Sequence, residues 1–427
     1  MSTASSDTGT AGLTARIALL ALVPFAFGYF LSYLYRAVNA VVAPDLVRDI
    51  ELDAAGLGLL TAAYLLAFAL FQLPLGLLLD RYGPRRVQAA LVGWAAVGSV
   101  LFAVGEDVTT LTVARAIIGM GFAGGLMSGF KAVVLWVPEA RRAWANACVM
   151  SLGALGLLVA TVPMEFAVQA VGWRMVFWWL AGITAVVALI ILTVVPKTHD
   201  GPAGSGETLW QSVVSLGTIL KSRTFWVLAP ILCTSAGTHI AIQTLWAGPW
   251  FRDVAGLDRT GVAEYLFMTA AAFFVGILFT GAVTDWLGRR GVSILNVMLG
   301  FAIAFFISQA GIITHWLPGM WVFWLVFGML GQVAILAYPW LSSHYGAALS
   351  GRANTAMNLF IFASAFAVQY LIGVIIDLYP KSAEGHYDPQ GFQTSFAVFL
   401  GLQLLALVWY LYGMRKLRRD GIIAEDA

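Results

Sequence analysis

Gly76-Leu-Leu-Leu-Asp80-Arg81-Tyr-Gly83-Pro-Arg85-Arg86 closes the second of a series of long apolar runs. Gly281-Ala-Val-Thr-Asp285-Trp-Leu-Gly288-Arg289-Arg290 closes the eighth. Both read Gly-xxx-Asp-xx-Gly with trailing arginines, a polar turn set where an apolar helix meets water. Its recurrence about half a chain apart predicts two related six-helix units joined in tandem.

The runs number twelve, at roughly 17–43, 55–79, 87–105, 110–136, 143–169, 172–195, 223–250, 261–284, 292–313, 318–342, 353–378 and 391–413. A helix crosses a bilayer with about 20 apolar residues, and each run supplies them. Of 427 residues, 60% are hydrophobic and 11% charged. Soluble chains carry roughly 25% charged residues, so these charges cannot cover a globular surface and lipid must. The chain is therefore expected to be an all-α membrane protein of twelve transmembrane helices in two pseudo-symmetric six-helix bundles, 17–196 and 223–414.

Basic residues set the orientation, because loops rich in lysine and arginine stay inside. Arg16, Arg81, Arg85, Arg86, Arg141, Arg142, Lys197, Lys221, Arg223, Arg289, Arg290, Arg352 and the cluster from Arg415 to Arg419 fall on one side. Only Arg48, Arg174, Arg252, Arg259 and Lys381 fall on the other, so both termini are predicted to be cytoplasmic. Residues 1–16 read as a disordered N-terminus without a signal peptide, and 415–427 as a cytoplasmic tail. Residues 197–222 form a linker that opens Gly- and Ser-rich. It then places Leu209, Trp210, Val213, Leu216, Ile219 and Leu220 at helical spacing, as a helix lying on the membrane surface would.

Several classes are disfavoured. Neither a P-loop nor a cluster of metal ligands interrupts the runs, so no cofactor, no metal and no enzymatic activity is expected. Cys148 and Cys233 fall inside apolar runs and read as core thiols. The partners expected are a small molecule and the bilayer, with no nucleic acid and a monomer as the working unit.

The paired turns, the twelve runs and the central linker resemble the major facilitator superfamily over nearly the whole chain. Arg115-Ala-Ile-Ile-Gly119-Met-Gly121 on the fourth run matches that superfamily's Arg-xxx-Gly-x-Gly pattern, and Gly172-Trp173-Arg174 opens the sixth run as is common in the group. The resemblance implies a transporter of bacterial inner-membrane type working by rocker-switch alternating access. It also implies that Asp80 faces the start of the eleventh helix, at Gly351-Arg352-Ala353, when the inner gate is shut. A carboxylate is favoured at a helix N-terminus. Asp80, Arg81, Gly83, Arg142, Asp285, Gly288, Arg289 and Arg352 are the gating candidates.

Charges at membrane depth are costly and usually functional. Tyr29, Tyr33, Arg36 and Asn39 share one face of the first helix. Arg115 on the fourth helix falls in about the same layer, roughly 10 Å beyond the helix centre on the outer side. Helices 1, 4, 7 and 10 line the central cavity in the superfamily, so both arginines are expected on the substrate path. Tyr33-Leu34-Tyr35-Arg36 is similar to the Tyr-Leu-Asp-Arg segment of the organic-anion symporters, which also hold an arginine at the position of Arg115. Paired guanidinium forks suit a carboxylate. Tyr35 and Phe122 stand where those symporters carry coupling carboxylates, so their coupling does not carry over. His239, Gln243 and Trp246 share a face of the seventh helix, and Gln332 and Asn358 add hydrogen-bonding capacity. His239 and Glu165 are the proton-coupling candidates. Lys131 is expected to snorkel to water at the inner end.

A small organic anion, of carboxylate type, is the substrate these residues favour. A proton-driven exporter of drugs or metabolites is the alternative, although the fifth helix lacks the Gly-Pro-xx-Gly-Gly pattern of such exporters. A non-transporting sensor on the same fold is a third possibility without a signalling domain to support it.

Overall fold

Inside a bilayer an apolar segment can satisfy its backbone only as a helix or a closed barrel, and these segments lack the alternation a barrel needs. The computed structural model describes residues 7–196, 217–315, 317–382 and 385–423, and among them the regular structure is helical throughout. The N-terminal bundle comprises α1 (Asp7–Ile50), α2 (Ala54–Leu79), α3 (Arg81–Val104), α4 (Val108–Trp136), α5 (Trp144–Val159 continued by Val162–Val171) and α6 (Trp173–Val194). The C-terminal bundle comprises α7 (Arg223–Asp253), α8 (Arg259–Gly288), α9 (Ile294–Ile313), α10 (Leu317–Gly346), α11 (Gly351–Ile376) and α12 (Pro389–Arg419). Ten of these are long and apolar enough to span a membrane, the two arms of α5 make an eleventh span, and α1 carries the first apolar run. The arms of α5 meet at 45°, around Thr161 with its non-helical backbone and just before Pro163.

The turns that carry Gly83 and Gly346 lie on one membrane face, called here the motif face; the other is the far face. Aspartates start α2, α4, α8 and α12 on the far face. Asp53, Asp107, Asp258 and Asp388 each accept a backbone N–H of the first turn, at 2.6, 2.9, 2.9 and 2.8 Å. This capping satisfies amides that a helix start otherwise leaves open.

The two copies of the turn motif fold differently. Gly83 takes φ 74° and Pro84 follows it, so the chain reverses at the motif glycine. The second copy has no proline there. Helix α8 runs through Gly288, the Arg289 N–H bonds the Asp285 carbonyl at 3.1 Å, and the left-handed turn residue is Gly291 at φ 83°.

Other expectations shift. Residues 7–14 already belong to helix α1 rather than to a disordered segment, and α12 takes in the basic cluster through Arg419. Cys148 is exposed and so is not a core thiol, whereas Cys233 is half-buried and packs against the core. Most of the surface helix expected in 197–222 lies outside the described residues, including Leu209, Trp210, Val213 and Leu216. Its end, 217–220, is helical, with Ile219 fully buried. Helix α7 has 72% of its apolar window buried and α12 only 33%, which places α7 at the centre of the bundle and α12 at its lipid-facing edge.

Candidate functional site

A cavity of about 920 Å³ lies between the bundles. Its walls come from α1, α2, α4, α5, α7, α8, α10 and α11. Gly76 and Leu77 near the end of α2, with Gly351 and Arg352 at the start of α11, line its mouth, so it opens to the motif face. Arg36 is the lining residue of α1 nearest the far face; Phe68, Thr244 and Phe362 hold that position on α2, α7 and α11. These residues form the blind end.

Arg36 is 7% exposed. Its guanidinium carbon lies 4.8 Å from the Tyr33 ring centroid, 5.2 Å from Phe68 and 4.9 Å from Phe362. Phe68 and Phe362 come from opposite bundles and meet at 4.3 Å. Aromatic faces stabilise a cation without neutralising it or occupying its N–H donors. Arg36 Nε is buried without a hydrogen-bond partner, and no acidic side chain lines the cavity among the described residues.

On the opposing wall, a π-helical turn at Ile242–Trp246 widens α7, a distortion common at functional sites. It turns Gln243 to the cavity, where Nε2 is buried and unpartnered. His239 also lines the cavity. Its ring stacks on Phe273 at 5.8 Å and tilts against Phe327 at 5.1 Å, with Nε2 unpartnered. Gln332 lies at the break in α10 between Met320–Leu330 and the tight turn Val333–Leu336. Asn358 accepts a hydrogen bond from Tyr338 Oη at 3.4 Å, and Tyr29 Oη donates to Tyr33 Oη at 3.5 Å.

Four expected site residues lie away from this cavity. Arg115 is 1% exposed and packs over the Tyr64 ring, with Nη1 donating to the Tyr35 carbonyl at 2.8 Å. That bond ties α4 to α1 within the N-terminal bundle, so the two arginines are not a pair. Asn39 donates to Thr61 Oγ1 at 2.9 Å and joins α1 to α2. Trp246 Nε1 donates to the Gln369 carbonyl at 2.9 Å and pins α7 to α11. Glu165 belongs to the far-face closure described below. The Tyr35 and Phe122 rings pack tilted at 5.1 Å, and Tyr35 Oη bonds Ser99 and Thr184 at 2.9 and 3.1 Å. A sealed core thus occupies the positions of the symporters' acids.

The gating candidates divide as well. Arg142 donates to the carbonyls of Val137 and Val134, capping the end of α4, and Lys131, half-buried, reaches the motif-face end of α2, where Nζ donates to the Leu79 carbonyl at 2.8 Å. Arg81 and Asp285 are exposed on the motif face. Arg289 caps α8, and Arg352 lines the cavity mouth. The Asp80 side chain lies outside what the structure describes.

The far face is closed by contacts that cross between the bundles. Arg259, at the start of α8, donates to Asp45 on α1 at 3.1 and 2.9 Å, and to Glu165 on α5 at 2.7 and 3.3 Å. Asp377, at the end of α11, accepts the Ala54 and Ala55 amides at the start of α2, at 3.0 and 2.6 Å. Backbones also touch directly, because a Cβ at Gly373 would lie 2.3 Å from the Ala54 carbonyl oxygen and one at Gly248 2.4 Å from that of Ala40. Gly373→Val should therefore hold the far face apart. With Cys148 and Cys233 replaced by serine, spin labels at the exposed positions Glu106 and Glu264 should report a longer distance than in the parent protein; an unchanged distance would refute the wedge.

Sequence reasoning missed Asp45, Arg259 and Asp377. Their partners lie 214, 94 and more than 300 positions away, and no local spacing links them. The aromatic cage was equally hidden, since 27 phenylalanines give no means of choosing Phe68 and Phe362.

The family model described as Major Facilitator Superfamily matches residues 25–369. Among curated relatives, a probable sulfoacetate transporter, SauU, of Cupriavidus necator is 24% identical over 66% of this chain and 68% of its own length. The uncharacterized transporter YybO of Bacillus subtilis is 25% identical over 91% and 92%. A probable galactarate/D-glucarate transporter, GudP, of Escherichia coli is 23% identical over 81% and 84%. Among solved structures, a bacterial homologue of the human lysosomal transporter Spinster, inward-facing and unoccupied, superposes with TM-score 0.73 at 17% identity, covering 95% of this chain and 98% of that one. A mutant of the nucleoside transporter NupG gives 0.73 at 14% identity, over 92% and 99%.

Proposed function

The chain belongs to the Major Facilitator Superfamily, and on that premise we propose that it moves a small organic anion of carboxylate type across a bacterial inner membrane by rocker-switch alternating access. One observation carries this reading. A buried arginine, caged by aromatic rings and with no acid beside it among the described residues, sits at the blind end of a cavity between the two bundles. An unpaired buried charge is costly, and it persists where a ligand supplies the counter-charge. The names of two relatives, for sulfoacetate and for galactarate/D-glucarate, point to the same substrate class. The basic residues of the motif face make it cytoplasmic, so the conformation is inward-open.

Helices α2 and α11 supply a reciprocal pair of latches for the rocking motion. Asp377 caps the start of α2 on the far face. Asp80, at the other end of α2, would cap the start of α11 once the motif face closes. The two latches cannot engage together, so each conformation keeps one set of differential contacts.

Of the two proton-coupling candidates we favour Glu165, because it joins the far-face closure whereas His239 lies in the cavity wall. Glu165 holds one side of the Arg259 cluster, so protonating it removes one of that arginine's two counter-charges and loosens the far-face closure. Glu165→Gln should leave anion binding within about threefold of wild type while flattening the dependence of uptake on an imposed pH gradient. An unchanged gradient dependence would remove Glu165 from the coupling mechanism.

Uptake of labelled acids and amines into proteoliposomes tests the function itself. Protein-dependent flux of at least one carboxylate is expected. Flux of organic cations alone would favour the exporter.

A further inference from the structure

We infer, resting on the anion-transport reading, that the cavity selects a monoanion with a flat apolar body and a neutral hydrogen-bond acceptor at its far end. Three features of the cavity carry this. Arg36 is the only charged side chain at the blind end among the described residues. The other lining cation, Arg352, stands ten positions before Phe362 along α11, about 15 Å nearer the mouth. A second carboxylate on a ligand seated at Arg36 would therefore be desolvated among aromatic and amide side chains without a cation.

The wall leading away from Arg36 is aromatic. Its guanidinium packs on Tyr33; the Tyr33 ring lies 6.0 Å from that of Phe273, and Phe273 stacks 5.8 Å from His239. This row joins the cation on α1 to the polar groups on α7 and favours a planar, apolar ligand body. At its end, Gln243 Nε2 and His239 Nε2 are both buried and unpartnered, at 6% and 2% exposure. A buried amide N–H without a partner is an unmet donor, and a ligand hydroxyl or carbonyl would meet it. Arg36 thus calls for a negative charge on one side of the cavity, and Gln243 with His239 for a neutral acceptor on the other.

Isothermal titration of the purified full-length protein with four probes tests this. They are 4-hydroxyphenylacetate, phenylacetate, glucarate and the neutral 4-hydroxyphenylethanol. The expected order is 4-hydroxyphenylacetate tightest, phenylacetate roughly tenfold weaker, and glucarate and the neutral alcohol at least about thirtyfold weaker. Gln243→Leu should erase the tenfold advantage of the hydroxyl while leaving phenylacetate within about threefold. Two results would overturn the monoanion inference and leave the anion reading standing: glucarate binding as tightly as the monoanions and losing affinity in Arg36→Ala, or a hydroxyl advantage that survives Gln243→Leu. Carboxylates that fail to bind, or bind Arg36→Ala unchanged, would overturn the anion reading itself.

Discussion

Arg36→Ala should lower carboxylate flux by between about 30-fold and several thousand-fold and leave the protein folded. Truncating one partner of a buried charge pair costs about 2–5 kcal/mol, and every 1.4 kcal/mol is roughly a decade in affinity. The ligand's carboxylate is that partner here, since no acid faces Arg36 among the described residues. Stability behaves oppositely. A structural ion pair would lose stability on truncation, but an unpaired buried cation is itself a cost to the fold. The melting temperature of the unliganded variant should therefore match or exceed that of wild type, a combination a packing arginine would not produce. Arg36→Lys should recover only part of the flux, because an ammonium lacks the planar fork that binds two carboxylate oxygens. A melting temperature several degrees lower, with flux retained, would make Arg36 a structural residue.

The second large effect is expected at the far face. Arg259 is the shared counter-charge of Asp45 and Glu165, whose side chains are each 8% exposed. Removing it in Arg259→Ala leaves two shielded carboxylates facing one another. Arg48 reaches Asp45 at 3.3 Å and compensates in part, but its side chain is 71% exposed and its pairing is weak. Allowing for the partial exposure of Arg259 itself, a loss of about 2 kcal/mol from the far-closed state is expected, roughly a thirtyfold population shift. The Glu106–Glu264 spin-label distance should move to a longer, outward-open value. Asp45→Asn with Glu165→Gln in the same chain should reverse part of the shift by removing the repulsion. An unmoved distance in Arg259→Ala would mean that backbone packing alone closes this face.

Much of this fold was legible in the chain because bilayer physics leaves few options. Apolar run lengths fix the number of spans, and the repeated Gly-xxx-Asp-xx-Gly turn fixes the two-fold organisation. The place of Arg36 on the cavity was legible too, since a charge at that depth demands a reason. Arg115 was not. Periodicity gives the face a residue occupies but not which neighbour that face meets, and Arg115 meets the Tyr35 carbonyl instead of the cavity. Trp246 shows a second limit. It shares a helical face with His239 and Gln243 on ideal spacing, but the π-helical turn at Ile242–Trp246 alters the register and sends its indole to Gln369. The far-face closure depends on residues at helix ends, where loop composition hides them and only the assembled bundle brings Asp45, Glu165 and Arg259 together.

Thermal stabilisation of the purified protein by a panel of carboxylates, organic cations and neutral compounds, in wild type and Arg36→Ala side by side, tests the anion site most directly. Ligands that bind only the folded state raise its melting temperature by mass action. Stabilisation by carboxylates that vanishes in Arg36→Ala is the predicted result. Stabilisation by carboxylates of equal size in both proteins, or by cations alone, would contradict an anion site built on Arg36.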